Sequence, residues 1–234
     1  MIKKAMILSA GFGKRMHPLT LDCPKPLLKI GKETLLSNTI NFLETIGIKQ
    51  AIINVHYLGE QIVNYLSKKK FNLEIKLVKE SNKILDTGGG VLNALHYFSN
   101  KPFLTINPDT IWNSTYLKEI KLMQELFFKN KKKKCLLLLV NKKKSFENLD
   151  NGDFNFKKNL IDRKISDKLN YIYTGLQIIR PEAFLNINKK FFSINKIWDK
   201  LILNNELYAI KSKANFLHVS NFNTYKNLLK KFKH

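Results

Sequence analysis

An α/β fold, with a mostly parallel sheet and helices on both of its faces, is predicted by three features of the chain. Short apolar runs are bounded by glycine or polar turn residues. Segments with helical spacing separate those runs. The two kinds alternate at the interval of strand–helix–strand crossovers, the connection that builds parallel sheets.

The elements follow in order. Residues 5–8 read as a buried strand that ends at Gly11. Thr34 caps a helix whose apolar positions Leu35, Leu36, Ile40, Leu43 and Ile46 recur at helical spacing, and Gly47 stops it. Residues 50–55 form a second strand, 58–66 a helix, and the alternating run 73–78 a third strand. The triplet Gly88-Gly89-Gly90 opens a helix that runs through Tyr97. Residues 102–106 form a fourth strand ending at Asn107-Pro108-Asp109, a helix covers 116–128, and 135–140 is a fifth strand. After Lys142 the pattern changes. Residues 153–156 and 171–179 read as antiparallel pieces, followed by a helix over 194–203 and short strands over 207–210 and 216–219. A terminal helix starts near Asn221 and carries Leu228, Leu229 and Phe232. This last stretch reads as a small antiparallel subregion packed on the same sheet, so one domain over 1–234 is expected.

Composition narrows the class. A length of 234 residues suits one sizeable domain, and 44% hydrophobic content excludes a disordered polyelectrolyte. No apolar run approaches the roughly 18 residues of a membrane span. The apolar stretch at the N-terminus is too short for a secretory core and leads into a glycine loop instead of a cleavage site. Two cysteines, Cys23 and Cys135, exclude a disulfide framework and a four-cysteine zinc site. A soluble, reduced, cytoplasmic protein is expected.

The net charge is +23, and arginine contributes only Arg15, Arg163 and Arg180. Lysine, asparagine and isoleucine are all inflated, as an A/T-rich coding sequence favours. Two explanations stay open: drift of solvated positions, or a preference for anionic ligands such as a nucleotide, a sugar phosphate or RNA. The lysine runs at 68–70, 131–134 and 142–144 fall at element ends and are not interleaved with aromatic residues. They read as solvated loops, and neither a nucleic-acid nor a membrane partner is expected. Tight RNA binding with a steep salt dependence would mark the competing class.

The strongest local signal is Leu8-Ser9-Ala10-Gly11-Phe12-Gly13-Lys14-Arg15-Met16-His17-Pro18-Leu19-Thr20, followed by Pro24-Lys25-Pro26-Leu27. Two glycines directly after a strand let backbone N–H groups approach phosphate oxygens, and Lys14 and Arg15 add cationic heads there. A tight turn with incidental cations is the plainer alternative. Met16 stands where a dinucleotide fingerprint needs its third glycine, and no Gly-Lys-Ser/Thr makes a Walker loop. Lys25 is held between two prolines that restrict the backbone, which suits a cation aimed at a second anionic group.

The whole string resembles the nucleotidyltransferase motif of the sugar-1-phosphate nucleotidyltransferases (NDP-sugar pyrophosphorylases), and matches each of its fixed positions. Further segments resemble that family in order: Leu85-Asp86-Thr87-Gly88-Gly89-Gly90, Asn107-Pro108-Asp109, Tyr173-Thr174-Gly175-Leu176 and Phe216-Leu217-His218-Val219. The likeness spans roughly residues 3 to 232. The glycine triplet and the short length look most like the N-acetylmuramate α-1-phosphate uridylyltransferase branch, which serves peptidoglycan recycling.

The resemblance implies a Rossmann-like fold with a nucleotide-binding part (1–141) and a sugar-binding part (142–234). It implies the reaction of a sugar 1-phosphate with a nucleoside triphosphate to give an NDP-sugar and pyrophosphate, with Mg²⁺ as cofactor. UTP and N-acetylmuramate 1-phosphate are the expected pair, with GTP and mannose or heptose 1-phosphate as the alternative. Arg15, Lys25 and Asp109 are the implied catalytic residues. Ala10, Gly11, Gly13, Lys14, Arg15, Glu80, Asp86 and Gly88 are the implied nucleotide contacts, and Asn107, Thr174, Gly175 and Asp199 the sugar contacts. Asp109 and His218 stand at the metal positions. No oligomeric state is implied.

Plainer readings stand beside these. Asp109 can cap the next helix, the glycine triplet can be a flexible helix entry, and Thr174-Gly175 can be a strand kink. His17, His56, His96 and His234 show no ligand spacing, and Trp198 beside Asp199 reads as core. The chain also departs from the family pattern. His218 replaces an aspartate, Ser220-Asn221-Phe222 replaces Gly-Thr-Pro, and Asp162-Arg163-Lys164 lies where a Glu-Lys-Pro segment is usual.

Overall fold

The computed structural model describes residues 1–80, 83–157, 160–163 and 168–232, so Lys164 and His234 lie outside the described residues. Seven strands form the main sheet: β1 (Lys4–Leu8), β2 (Gln50–Val55), β3 (Glu74–Lys79), β4 (Phe103–Ile106), β5 (Cys135–Asn141), β6 (Tyr171–Ile179) and β7 (Leu207–Ser212). Their spatial order is β7-β5-β6-β4-β1-β2-β3. Every neighbouring pair is parallel except the two that β6 makes, with β4 and with β5.

Alternation along the strands supplies two apolar faces. Ala5 and Ile7 of β1 and Leu136 and Leu138 of β5 pack with Ile40, Trp112, Tyr116 and Phe127 on one side. Met6, Leu137 and Leu139 pack with Val91, Ile197 and Trp198 on the other. Helices α1 (Leu35–Thr45), α2 (Gly59–Ser67) and α4 (Leu117–Lys129) therefore cover one face, and α3 (Asp86–Asn93) and α5 (Asn195–Leu203) cover the other. The mostly parallel sheet with helices on both faces is the architecture expected from the alternating pattern.

Local signals act as the sequence suggests. The Thr34 hydroxyl accepts from Ser37 N at 3.0 Å to cap α1, and Gly47 follows the helix at φ +82°. Asn221 caps α6 (Phe222–Lys231) by accepting from Thr224 N at 2.9 Å. The expected helix through Tyr97 divides into α3 and a 3₁₀ turn over Leu95–Phe98.

The C-terminal part differs from the expectation. The run 171–179 is antiparallel as expected and bridges to Phe154, but as β6 it lies inside the main sheet between two strands, and 207–212 extends the edge as β7. The small antiparallel element that remains pairs Asn155–Lys157 with Leu160–Asp162. β6 can take the central place because its buried polar side chains are satisfied, Thr174 by donating to Leu138 O at 2.9 Å. Gln177 donates to Thr105 Oγ1 at 2.9 Å and accepts from Trp198 Nε1 at 2.8 Å. Residues 216–219 do not form a strand. They make isolated bridges, Ser145 with Phe216 and Thr110 with His218, and lie along the turn after β4.

The glycine triplet is a packing feature. A Cβ on Gly88 would lie 2.4 Å from the Phe192 ring, and one on Gly89 2.1 Å from the Lys190 carbonyl oxygen. Gly89 N donates to Phe192 O, and Phe192 N returns a hydrogen bond to Leu85 O. Gly89→Ala is expected to lower stability by about 1–3 kcal/mol, the usual cost of overpacking, and to loosen residues 190–192 without unfolding the sheet; chemical denaturation and hydrogen exchange check both.

Candidate active site

From β1 the chain builds outward to β2 and β3, then crosses back to place β4 on the other side of β1. The strand order reverses there, and in open α/β sheets such a point leaves a crevice outside the carboxyl ends of the strands. A cleft of about 370 Å³ lies at that place. Its wall comes from the loop after β1 (Ser9 to Met16), from Lys25 and Pro26, and from Asn54 at the end of β2. Glu80, Ile84, Asp86 and Thr87 line another side, with Asn107, Pro108, Asp109 and Ser220.

The loop after β1 is folded back on itself. Gly13 has φ +64°, and Thr20 Oγ1 donates to its carbonyl at 2.9 Å. A Cβ on Gly13 would come within 3.0 Å of Thr20 and 3.3 Å of Lys25, so glycine lets the two halves of the motif close on each other. Gly11 has open space around its Cβ position and is exposed. Lys14 and Arg15 are exposed at the lip, with the Lys14 ammonium over the Phe12 ring. Phe12 also packs against Tyr57, whose hydroxyl donates to Thr20 O at 2.9 Å.

Lys25 and Asp109, 84 residues apart, meet in this cleft: Nζ donates to Oδ2 at 2.6 Å. Both side chains are largely buried, at 14% and 18% exposure. Burial pushes the Asp109 carboxyl upward, but the Lys25 ammonium and His218 outweigh it and hold the pKa at about 2. Asp109 Oδ1 is buried and has no hydrogen-bond partner among the described residues. His218 Nδ1 lies 3.6 Å from it. Burial pushes the His218 imidazole below its ordinary value, Lys25 and Arg15 adding to the effect and Asp109 opposing it, so the ring is neutral at pH 7.

A second pair joins two loops. Asn54 Oδ1 accepts from Ser9 N at 2.9 Å, and Asn54 Nδ2 donates to Glu80 Oε1 at 2.7 Å. Glu80 Oε2 accepts from Leu85 N at 2.7 Å. A Cβ on Gly90 would lie within 2.9 Å of both side chains, so this glycine is the space the pair occupies. Asp86, at φ +62°, turns its Oδ1 back to accept from Thr87 N.

The remaining candidates are placed as follows. Asn107 lines the cleft, and its N–H donates to Gly175 O at 2.8 Å. Gly175 has φ +91°, where the β6–β5 register shifts, and a Cβ there would lie 2.8 Å from Asn107 Cβ. Thr174 points into the sheet and donates to Leu138 O. Gly88 packs on Phe192, outside the cleft lining. Asp199 is exposed and pairs with Arg163 at 3.3 Å, also away from the lining. Sequence reasoning named Ser9 and Ser220 only within longer segments and gave neither a site role, and it did not name Asn54 as a site residue. Asn54 alone had a local signal, a polar residue inside the otherwise apolar run Ala51–Val55.

Residues 4–161 match the family model described as Nucleotidyl transferase. The chain is 26% identical over 222 residues to N-acetylmuramate alpha-1-phosphate uridylyltransferase of Caulobacter vibrioides, a match covering 93% of this chain and 91% of that protein. It is 33% identical over 112 residues to mannose-1-phosphate guanylyltransferase 1 of Arabidopsis thaliana, covering 46% of this chain and 31% of that one. Its fold is similar to that of HddC from Yersinia pseudotuberculosis, with TM-score 0.75, 23% identity and coverage of 99% and 100% of the two chains.

Two outcomes follow from this geometry. Because Asp109 titrates near 2 in the fold and near 3.8 when free, its ion pair stabilises the protein fully above about pH 4 and loses that effect as pH falls towards 2. The stability advantage of the wild type over Asp109→Asn should shrink by about 2 kcal/mol across that window, as read by denaturant titrations at each pH. Asn54→Ala leaves Ser9 N–H and one Glu80 oxygen without partners, so a loss of about 1–3 kcal/mol is expected, with faster hydrogen exchange at Ser9 and Leu85.

Proposed function

The chain belongs to the nucleotidyl transferase family, and from that premise we propose that it joins a nucleoside triphosphate to a sugar 1-phosphate and releases pyrophosphate, with UTP and N-acetylmuramate 1-phosphate as the pair. The observation that carries this reading is the buried Lys25–Asp109 ion pair in the switch-point cleft, beside the open backbone at Gly11. The uridylyl donor is favoured because the Caulobacter enzyme is matched along nearly its whole length.

The reaction brings two polyanions together. A phosphate oxygen of the sugar phosphate attacks the α-phosphorus in line with the departing pyrophosphate. That oxygen is ionised near neutral pH, so the chain needs no general base, and its task is alignment and charge compensation. The backbone around Ala10, Gly11 and Gly13 takes the β- and γ-phosphates. Lys14 and Arg15 neutralise charge on the leaving pyrophosphate, the always-charged guanidinium fork of Arg15 suiting this best. Lys25 turns from Asp109 to the α-phosphate and the sugar phosphate. Glu80 and Asp86 border the path of base and ribose, and Gly88 seats that border against Phe192. Asn107, held by Gly175, faces the sugar.

The cations of the cleft lining, Lys14, Arg15 and Lys25, are formally balanced by Glu80, Asp86 and Asp109. A triphosphate therefore arrives with most of its charge uncompensated. A divalent cation, for which the family resemblance implies Mg²⁺, would supply that charge when bound. The partnerless Asp109 Oδ1 fits one of its ligand positions, and phosphate oxygens and water would contribute others.

The Arabidopsis relative supports a second reading, guanylyl transfer to mannose 1-phosphate or a heptose counterpart. Pyrophosphate release from each common nucleoside triphosphate against N-acetylmuramate, mannose and heptose 1-phosphates, with and without divalent cation, separates the two. Release from no pair overturns both. Lys25→Ala is expected to reduce turnover about 100-fold or more while circular dichroism shows a folded protein; undiminished turnover in that variant removes Lys25 from the mechanism.

A further inference from the structure

Asp109 uses only one of its two carboxylate oxygens. Oδ2 accepts from Lys25 at 2.6 Å, whereas Oδ1 is buried without a hydrogen-bond partner among the described residues. The atom facing Oδ1 is His218 Nδ1, at 3.6 Å, and Nδ1 is also 3.4 Å from Thr110 Oγ1. Thr110 directs its hydroxyl proton to Thr174 O at 2.7 Å, so it offers lone pairs towards His218. An N–H donated to a carboxylate would bring the atoms to about 2.7–2.9 Å, and neither contact is that close. The imidazole is also held in place. It stacks on Phe216 with an interplanar angle of 12°, and its backbone bridges to Thr110.

We propose that Asp109 Oδ1 and His218 Nδ1 form a mixed oxygen–nitrogen site that favours a nitrogen-accepting divalent transition metal over Mg²⁺. The inference rests on the nucleotidyl-transfer reading, because no group of three or more His, Cys, Asp or Glu side chains among the described residues could hold a metal alone. Nucleotide phosphates and water complete the ligand set. The 3.6 Å gap is less than twice a metal–ligand bond of about 2.0–2.2 Å, so one ion reaches both atoms. Mg²⁺ takes oxygen ligands and dehydrates reluctantly, whereas imidazole suits the later first-row metals. An imidazole in this position therefore alters which cation the site prefers.

The test uses the full chain with a non-hydrolysable UTP analogue. Mn²⁺ is the spectroscopic probe, and Co²⁺ and Mg²⁺ are titrated by calorimetry. Electron spin echo spectra of the Mn²⁺ complex are expected to show a ¹⁴N coupling that changes on ¹⁵N-histidine labelling and is lost in His218→Asp. The same substitution is expected to lower the Co²⁺ to Mg²⁺ affinity ratio at least tenfold. If Mn²⁺ and nucleotide bind the wild type with no histidine coupling and the ratio is unchanged in the variant, the gap is filled by water and the inference fails while the nucleotidyl-transfer reading stands. If no nucleotide analogue binds, that reading fails and carries the inference with it. Should His218→Asp not fold, the labelled wild-type spectrum alone decides.

Discussion

The ion pair between Lys25 and Asp109 is the constraint around which this molecule is arranged. Neither charge is well hydrated, and losing one member of a buried pair leaves the other uncompensated, at a cost of several kcal/mol. Each can leave its partner only for an equivalent charge: an anion for Lys25, a cation for Asp109. A triphosphate arriving with a divalent ion, as the proposed reaction requires, offers both at once. On the proposed reaction, the pair keeps the cleft neutral when empty and makes entry of phosphate and entry of metal favour each other.

Placing that pair requires three supports from different parts of the chain. Gly13 and Thr20 close the loop after β1 onto the rigid Pro24-Lys25-Pro26 segment. Asn54 and Glu80 tie the start of that loop to the entry of α3. The kink of β6 at Gly175 receives the Asn107 N–H and so fixes the turn that carries Asp109, while Trp112 Nε1 donates to Asn107 O from the other side. Glycines at 88, 89 and 90 serve close approach of neighbouring side chains and backbone, whereas the Cβ position of Gly11 faces open space in the cleft.

The large positive charge is spread more widely than the cleft. Several lysines lie over aromatic rings, as Lys133 over Tyr208, Lys211 over Phe156 and Lys231 over Phe146. Their ammonium groups lie against the ring faces, and that of Lys133 also donates to Leu126 O at 2.9 Å. Within the cleft the signs balance, so recognition of an anion there depends on where Lys25 and Arg15 stand and not on net charge.

Much of the architecture was legible in the sequence because it is written in adjacent residues. Caps, glycine stops, apolar periodicity and the motif from Leu8 to Leu27 all depend on neighbours a few positions apart, and the first five strands follow from them. The sequence could not show that 171–179 would enter the sheet between β4 and β5, since an apolar run carries no information about which strands lie beside it. Nor could it show that residues 216–219, read as a strand, would lie along the turn at Asp109 and bring His218 against Thr110, 108 positions away. The role of Asn54 was hidden for the same reason: its importance lies in Ser9 and Glu80, each just past the end of a strand beside its own. Residue chemistry along the chain sets the types and the order of the elements; packing in three dimensions sets which charges, lone pairs and glycines become neighbours, because strand order follows from burial across the whole sheet and not from any local hydrogen bond.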